Sequence, residues 1–290
     1  MMNKKKVLVA GATGYLGRYV TQELATSESY DTKIVVRQKS KAQLEYTDIE
    51  VVEAEVTQPD TLAGICEGVD IVISSIGITR QKDGLTYMDV DYQANVNLLD
   101  EAKKSGVTKF IYISVLHGDQ LRELKICEAK EKFVDYLKAS GLDYCIIRPN
   151  GFFSDMGDFL KMAKSGTVYL FGDGKLQLNP IHGEDLAKVC IHAITADDKE
   201  INVGGPDLLS QYEIAELAFK AYSKSVKVTY LPSWIRKSVL WFLRTVTSSK
   251  TYGPLEFFMT TMVMDMSSPQ YGTHRLEDFF NEQAKAEQKN

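Results

Sequence analysis

The stretch VLVAGATGYLGRYV, residues 7–20, constrains this chain more than any other part of it. An apolar run leads into three glycines spaced G-x-x-G-x-x-G, at Gly11, Gly14 and Gly17, and an amphipathic stretch follows. A buried strand turning tightly into a helix calls for that order. The first glycine permits the turn, the second lets backbone N–H groups approach a pyrophosphate, and the third lets helix and strand pack closely. Phosphates then meet the positive end of a helix dipole. Gly11, Thr13, Gly14, Tyr15, Leu16 and Gly17 are therefore expected around a dinucleotide. The competing reading is a tight turn with a structural role only.

The first half of the chain continues the same rhythm. Strand patterns at 6–10, 33–37, 50–56, 69–73, 109–114 and 143–148 alternate with helical ones at 15–25, 61–67, 91–104 and 121–140. Strands joined by helical crossovers make a parallel sheet covered on both faces. After Pro149 the elements shorten, with helices at 155–164, 183–196 and 210–222 and strands at 168–171, 201–203 and 226–230. The expected fold is α/β: a Rossmann-type doubly wound parallel sheet over 1–150, and a smaller mixed α/β substrate lobe over 151–280, partly interleaved with that sheet. Residues 281–290 read as a flexible tail.

Composition removes several classes of function. At 290 residues and 44% hydrophobic, the chain can bury a full core. Its net charge of -5 leaves no basic stripe for nucleic-acid phosphates. Cys66, Cys127, Cys145 and Cys190 are scattered without paired spacing, as in reduced, cytoplasmic proteins. His117, His182, His192 and His274 stand apart from one another and from any ligand spacing, so no metal site is expected. The N-terminus lacks signal-peptide features, and no apolar run reaches the ~18 residues of a membrane span. A cytoplasmic monomer or homodimer is expected.

The second strand selects the dinucleotide. An acid about 20 residues beyond the glycine loop would bind a ribose 2′-hydroxyl and favour NAD. Here KIVVRQKSK, residues 33–41, offers Arg37 instead. A guanidinium suits a 2′-phosphate through bidentate, charge-assisted hydrogen bonds. Lys39 and Lys41 stand close by in sequence. NADP(H) is expected and NAD(H) is less favoured, with a solvated basic loop as the competing reading.

At these residues a family resemblance emerges. GATGYLG, VVRQKSK, GVDIVISSIG, VDYQANVNLLDEAKKSGVTKFIYIS, AKEKFVDYLKASGLDYCIIRPNGFF and NPIHGEDLA span roughly the first 190 residues. Together they resemble the atypical short-chain dehydrogenase/reductase superfamily, in its NAD(P)H-binding, NmrA-like and isoflavone-reductase-like group. The resemblance implies that Ser74, Ser75, Ile76 and Gly77 pass beside the adenine ribose and pyrophosphate. It implies that Pro149, Asn150, Gly151 and Phe152 border the nicotinamide, and that Asn95 braces the neighbouring helix and loop. Catalytic members carry a tyrosine and, four residues later, a lysine on the helix after the fifth strand, with a serine ending that strand. The tyrosine moves the proton, the lysine binds the nicotinamide ribose and lowers the tyrosine pKa, and the serine holds the substrate oxygen.

Ser114 and Lys130 match that pattern, but Ile126 stands where the tyrosine belongs. The resemblance thus implies Lys130 and Ser114 as catalytic residues, with His117 a second candidate for the proton. Lys130 acts as an acid only if burial lowers its pKa; an equal alternative has it bind the ribose and nothing more. Two functions follow. One is an NADP(H)-dependent reductase of a carbonyl or conjugated double bond in a small, largely apolar compound. The other is a non-catalytic NADP(H)-binding sensor or assembly scaffold.

One segment stands outside this scheme. SWIRKSVLWFLRTV puts Ile235, Val239, Phe242 and Val246 on one helical face, Lys237 and Arg244 opposite, and Trp234 and Trp241 on the flanks. Such a stripe reads first as packing within the lobe or at a dimer interface. Peripheral membrane or protein contact through 234–247 is the other reading. The following YGPLEFFMTTMVMDM is Met- and aromatic-rich, as a pocket for an apolar substrate would be.

Overall fold

The computed structural model describes residues 4–39, 49–78 and 84–288. Lys41, expected beside a 2′-phosphate, lies outside them. Strands β1 (Lys5–Ala10), β2 (Tyr30–Val36), β3 (Ile49–Glu53), β4 (Ile71–Ser74), β5 (Lys109–Ile113) and β6 (Asp143–Pro149) pair in parallel. With β9 (Glu200–Val203) they form a seven-stranded sheet in the order β3-β2-β1-β4-β5-β6-β9. The apolar runs in β1 and β5 are wholly buried from Val7 to Ala10 and from Phe110 to Tyr112. Runs of this kind are what a sheet covered on both faces requires.

Helices α1 (Tyr15–Ala25), α2 (Asn95–Lys104) and α3 (Lys125–Lys138) follow β1, β4 and β5. Each buries one stripe: Leu16, Val20 and Leu24 from α1, for example, at four-residue spacing. Phe133 of α3 meets the ring of Tyr112 at 4.6 Å and that of Phe110 at 5.8 Å. The expected helix over 91–104 begins earlier, as a π-helical turn at Met88–Ala94 that hands over to α2 at Asn95. The expected helix over 61–67 is only a 3₁₀ turn at Pro59–Leu62.

The described chain divides into two compact units. One runs through Arg148 and takes in Leu186–Ile201, and the other comprises Pro149–Asp185 and the residues from Asn202 onward. In the second unit lie α4 (Gly157–Ser165), β7 (Val168–Phe171), β8 (Gln177–Leu178), β10 (Leu209–Ser210), α6 (Gln211–Ala221) and β11 (Val228–Leu231). Helix α5 (Gly183–His192) starts there and ends in the first unit. β7 pairs in parallel with β11, and β8 antiparallel with β10. Helices α7 (Ser233–Val246), α8 (Ser249–Thr261) and α9 (Leu276–Gln288) complete it.

The tail departs from expectation. Residues 281–288 are helical, continuing α9. Leu276, Phe280 and Ala284 bury a stripe at four-residue spacing, and Glu287 accepts from Lys164 Nζ at 2.9 Å and from the Tyr222 hydroxyl at 2.7 Å. Counted from residue 281 alone the segment is polar, and the register that makes it amphipathic starts upstream.

Candidate functional site

The strand order reverses between β1 and β4, and open parallel sheets bind ligands at the carboxyl ends of strands flanking such a reversal. A cleft of about 410 Å³ lies there, lined from the loops after β1, β2, β3 and β4. Its walls include Gly11, Thr13, Gly14, Arg37, Ser75, Ile76 and Gly77. Ala54, Glu55, Val56, Thr57, Ile78, Leu85 and Val90 also line it.

Gly11 has a left-handed φ of 85°, and a Cβ on it would stand 2.6 Å from Ser75 Oγ. The cleft floor is therefore bare backbone. A Cβ on Gly17 would stand 2.0 Å from the Gly11 carbonyl oxygen, so α1 approaches its own strand as closely as chain atoms allow. Helix α1 has no side-chain cap and no acid in its first turn, so no carboxylate of its own opposes an anion at its positive end. These features fit the pyrophosphate of a dinucleotide. Arg37 is exposed at the end of β2 and borders the cleft.

Other expected residues do structural work. Tyr15 begins α1 with its ring edge-on to Tyr19, and Leu16 and Gly17 are buried beneath the loop. Ser74 is buried and donates to Asn95 Oδ1 at 2.6 Å. Asn95 Nδ2 in turn donates to the carbonyls of Val90, Asp91 and Ile76. This amide clamps the π-helical turn to the loop after β4, the bracing role the resemblance implied.

Lys130 reaches the back of the cleft wall. Its ammonium lies 3.0 Å from Asp91 Oδ1, and a Cβ on Gly77 would stand 2.9 Å from Nζ. Asp91 is wholly buried and also accepts from the Ile78 N–H at 3.2 Å. The Tyr112 ring lies under the ammonium at 5.6 Å from its centroid. Burial opposes the charge on Lys130, but the Tyr112 phenol and the Asp91 carboxylate outweigh it and hold the ammonium above the usual lysine range. The lowering that an acid role called for is not produced. Nothing in the motif pointed to Asp91 or Tyr112, since the one comes from the π turn and the other from β5. The Tyr112 hydroxyl is buried, and that burial pushes it well above the usual phenol range.

Ser114 Oγ donates to Glu131 Oε1 at 2.8 Å. Glu131, fully buried on α3, binds Arg148 in a two-pronged pair at 2.6 and 2.9 Å, and Arg148 continues to Glu200 at 3.2 Å. The hydroxyl at the end of β5 thus belongs to a charged network under the sheet edge. His117 is half-buried, in a left-handed conformation with φ 56°, and its ring lies 3.4 Å from the Gln120 amide. Neither it nor Ser114 is in the cleft lining.

Pro149 ends β6, and Asn150, Gly151 and Phe152 belong to the second unit. Asn150 is buried, donates to Asn179 Oδ1 at 2.8 Å and to the Met266 carbonyl, and accepts from the Gly151 N–H at 2.8 Å. Phe152 forms a bridge with Ile181. The second unit also corrects the view of isolated histidines. His182 and His274 stack at 4.3 Å, and ligand atoms of His182, Glu184 and His274 fall within 4.8 Å of one another. Asp185 ties this cluster down, accepting from the N–H groups of Thr273 and His274 at 3.0 Å and pairing with His274 Nδ1 at 2.9 Å.

A model of the NAD(P)H-binding family matches residues 11–197. The chain belongs to that family. Within it, the sequence is 29% identical to divinyl chlorophyllide a 8-vinyl-reductase of Arabidopsis thaliana, over 94% of this chain and 75% of that protein. It is 26% identical to the photosystem II assembly factor Ycf39 of Synechocystis, over 83% of this chain and 74% of the relative. The fold superposes on the NADPH-dependent quinone oxidoreductase QOR2 of Escherichia coli at a TM-score of 0.70 and 18% identity, covering 97% of this chain and 99% of that one. The family match covers the glycine loop, the cleft and Lys130 alike. No helix among the described residues is long and apolar enough to cross a membrane.

Proposed function

We propose that this chain is an NADP(H)-dependent oxidoreductase that reduces a carbonyl group, or a carbon–carbon double bond conjugated to one, in a small and largely apolar compound. The observation that carries the reading is Arg37 at the edge of the cleft, where an NAD-selective site would carry an acid. The relative named as an 8-vinyl-reductase supports double-bond reduction. When bound, NADPH supplies the hydride. The residues of this chain bind and orient. Arg37 donates to the 2′-phosphate, and Gly11, Thr13, Gly14 and the start of α1 receive the pyrophosphate. Ser75, Ile76 and Gly77 flank the ribose, and Lys130 donates to ribose hydroxyls. Because Asp91 keeps Lys130 charged, it positions the cofactor and gives up a proton reluctantly. His117, three residues beyond Ser114, is then the candidate for proton delivery. Asn150, Gly151 and Phe152, which follow the sixth strand, are the candidates to border the nicotinamide.

Calorimetric titration with NADPH, NADP⁺, NADH and NAD⁺ tests the cofactor, and loss of reduced-nicotinamide absorbance with enones and quinones tests the reaction. NADPH is expected to bind best. Lys130→Met is expected to lower turnover by roughly 10²-fold through misorientation; full turnover in that variant overturns the assignment.

A second reading, a non-catalytic NADP(H) sensor or assembly scaffold, is favoured by Ile126 and by the Ser114 hydroxyl being held by Glu131. The assembly-factor relative supports it. Equal binding of oxidised and reduced cofactor, with no turnover on any acceptor, selects this reading. A cytoplasmic location rests on four cysteines that are all free and buried, while the reductase relative is named as chloroplastic; cell fractionation decides between them.

A further inference from the structure

Helix α7 carries its large side chains on the wrong face for a core. Trp234 is 66% exposed, Trp241 69%, Phe242 57% and Val246 57%. The side turned inward is narrower, with Leu240 buried and Ile235, Val239 and Leu243 half-buried. The expected packing of the whole stripe within the lobe is therefore only half realised. Four large apolar side chains exposed on one short helix call for a partner.

The exposed face has a repeat. Trp234 with Lys237, and Trp241 with Arg244, recur seven residues apart, so two tryptophans line up along the helix with a cation one turn beyond each. Ser238 and Thr245, both exposed, lie between and beyond them. Indole rings beside cations on an in-plane helix match the boundary of a bilayer, where the ring sits among headgroups and the charge meets phosphate. At 14 residues the helix is too short to span.

Charge selects the partner. Between Glu216 and Glu256 the chain has seven basic residues and no acid: Lys220, Lys224, Lys227, Arg236, Lys237, Arg244 and Lys250. The whole chain has a net charge of -5. Among the described side chains, Lys220 is paired with Glu277 and Arg244 with Glu256. What remains is a basic segment on an acidic protein. The strand β11, which runs straight into α7, adds Tyr230 at 48% exposure. We propose that α7 docks on the surface of an anionic lipid bilayer, with Trp234, Trp241, Phe242 and Val246 entering the headgroup–acyl boundary and Lys237 meeting lipid phosphate.

The test uses a convenience of this chain: its only two tryptophans are Trp234 and Trp241. Intrinsic tryptophan fluorescence of the full chain thus reports on α7 alone. Vesicles of phosphatidylcholine with a third phosphatidylglycerol are expected to shift that emission to the blue and to carry the protein in flotation. Pure phosphatidylcholine vesicles should do so weakly, and added salt should release the protein. Trp241→Ser with Phe242→Ser is expected to weaken partitioning at least roughly tenfold, and Lys237→Glu to weaken it on anionic vesicles only. Unchanged far-ultraviolet circular dichroism and NADPH binding in these variants keep the comparison fair. Failure to float on anionic vesicles overturns the proposal. So does equal partitioning of the Ser/Ser variant, or sedimentation of the free protein as a dimer that this variant converts to monomer, which would make a second copy the occupant.

Discussion

In the proposed function, the choice of cofactor falls to a single guanidinium. Arg37 stands at the end of β2 beside the cleft, and a carboxylate there would repel a 2′-phosphate while accepting from a 2′-hydroxyl. Arg37→Asp is expected to weaken NADPH by roughly tenfold to a hundredfold and to leave NADH little changed or improved. Parallel titrations of both nucleotides check this, and equal losses would remove the 2′-phosphate role. Lys130 was legible as a position but not as a state. Its place four residues after Ile126 could be read from the chain, whereas its charge depends on Asp91, thirty-nine residues away in sequence and 3.0 Å away in space.

At the scale of elements, α3 is fastened to β5 and β6 by Ser114, Glu131 and Arg148. Glu131 and Arg148 are both buried, so removing one partner strands the other's charge in a medium that solvates it poorly. Glu131→Ala is expected to destabilise the protein by about 3–5 kcal/mol in chemical denaturation, and Glu131→Met with Arg148→Met to recover much of that loss. If the single change costs no more than a surface substitution, the pair is not holding the elements together. In sequence a hydroxyl ending the fifth strand suits a catalytic and a structural role alike, and in the fold its partner is Glu131.

For the molecule as a whole, acid is expected to loosen the second unit first. Burial and the neighbouring His274 hold the His182 pKa below its ordinary value, against smaller opposing pulls from Asp185 and Glu184. The folded state then binds fewer protons than the unfolded one just below pH ~6.5, so stability is complete above that value and is lost as pH falls through the folded pKa. Burial pushes the Asp185 carboxyl up, but hydrogen bonds from His274 and Thr273 overcome it and leave the pKa lowered. Its contribution is present above about pH 3.9 and is lost as pH falls further. Melting temperature measured from about pH 7.5 to pH 5 is expected to fall, and to fall less in His182→Phe. Identical slopes in the two proteins would assign the dependence elsewhere.

Local sequence determined the Rossmann half. Strand and helix periodicities, together with glycines that no other residue can replace at Gly11 and Gly17, act over a few residues, and a chain that satisfies them has few other ways to fold. Tertiary structure alone decided what each polar side chain faces. It held Lys130 charged with Asp91, bound Ser114 to Glu131, and gathered His182, Glu184 and His274 from segments some ninety residues apart. It also turned 281–288 into helix by giving Phe280 and Ala284 a surface to bury against, and left the tryptophans of α7 outside. Periodicity records which residues prefer to be buried, but not whether the fold supplies a partner for every face, and charge states follow from neighbours that only the folded chain brings within a few ångströms.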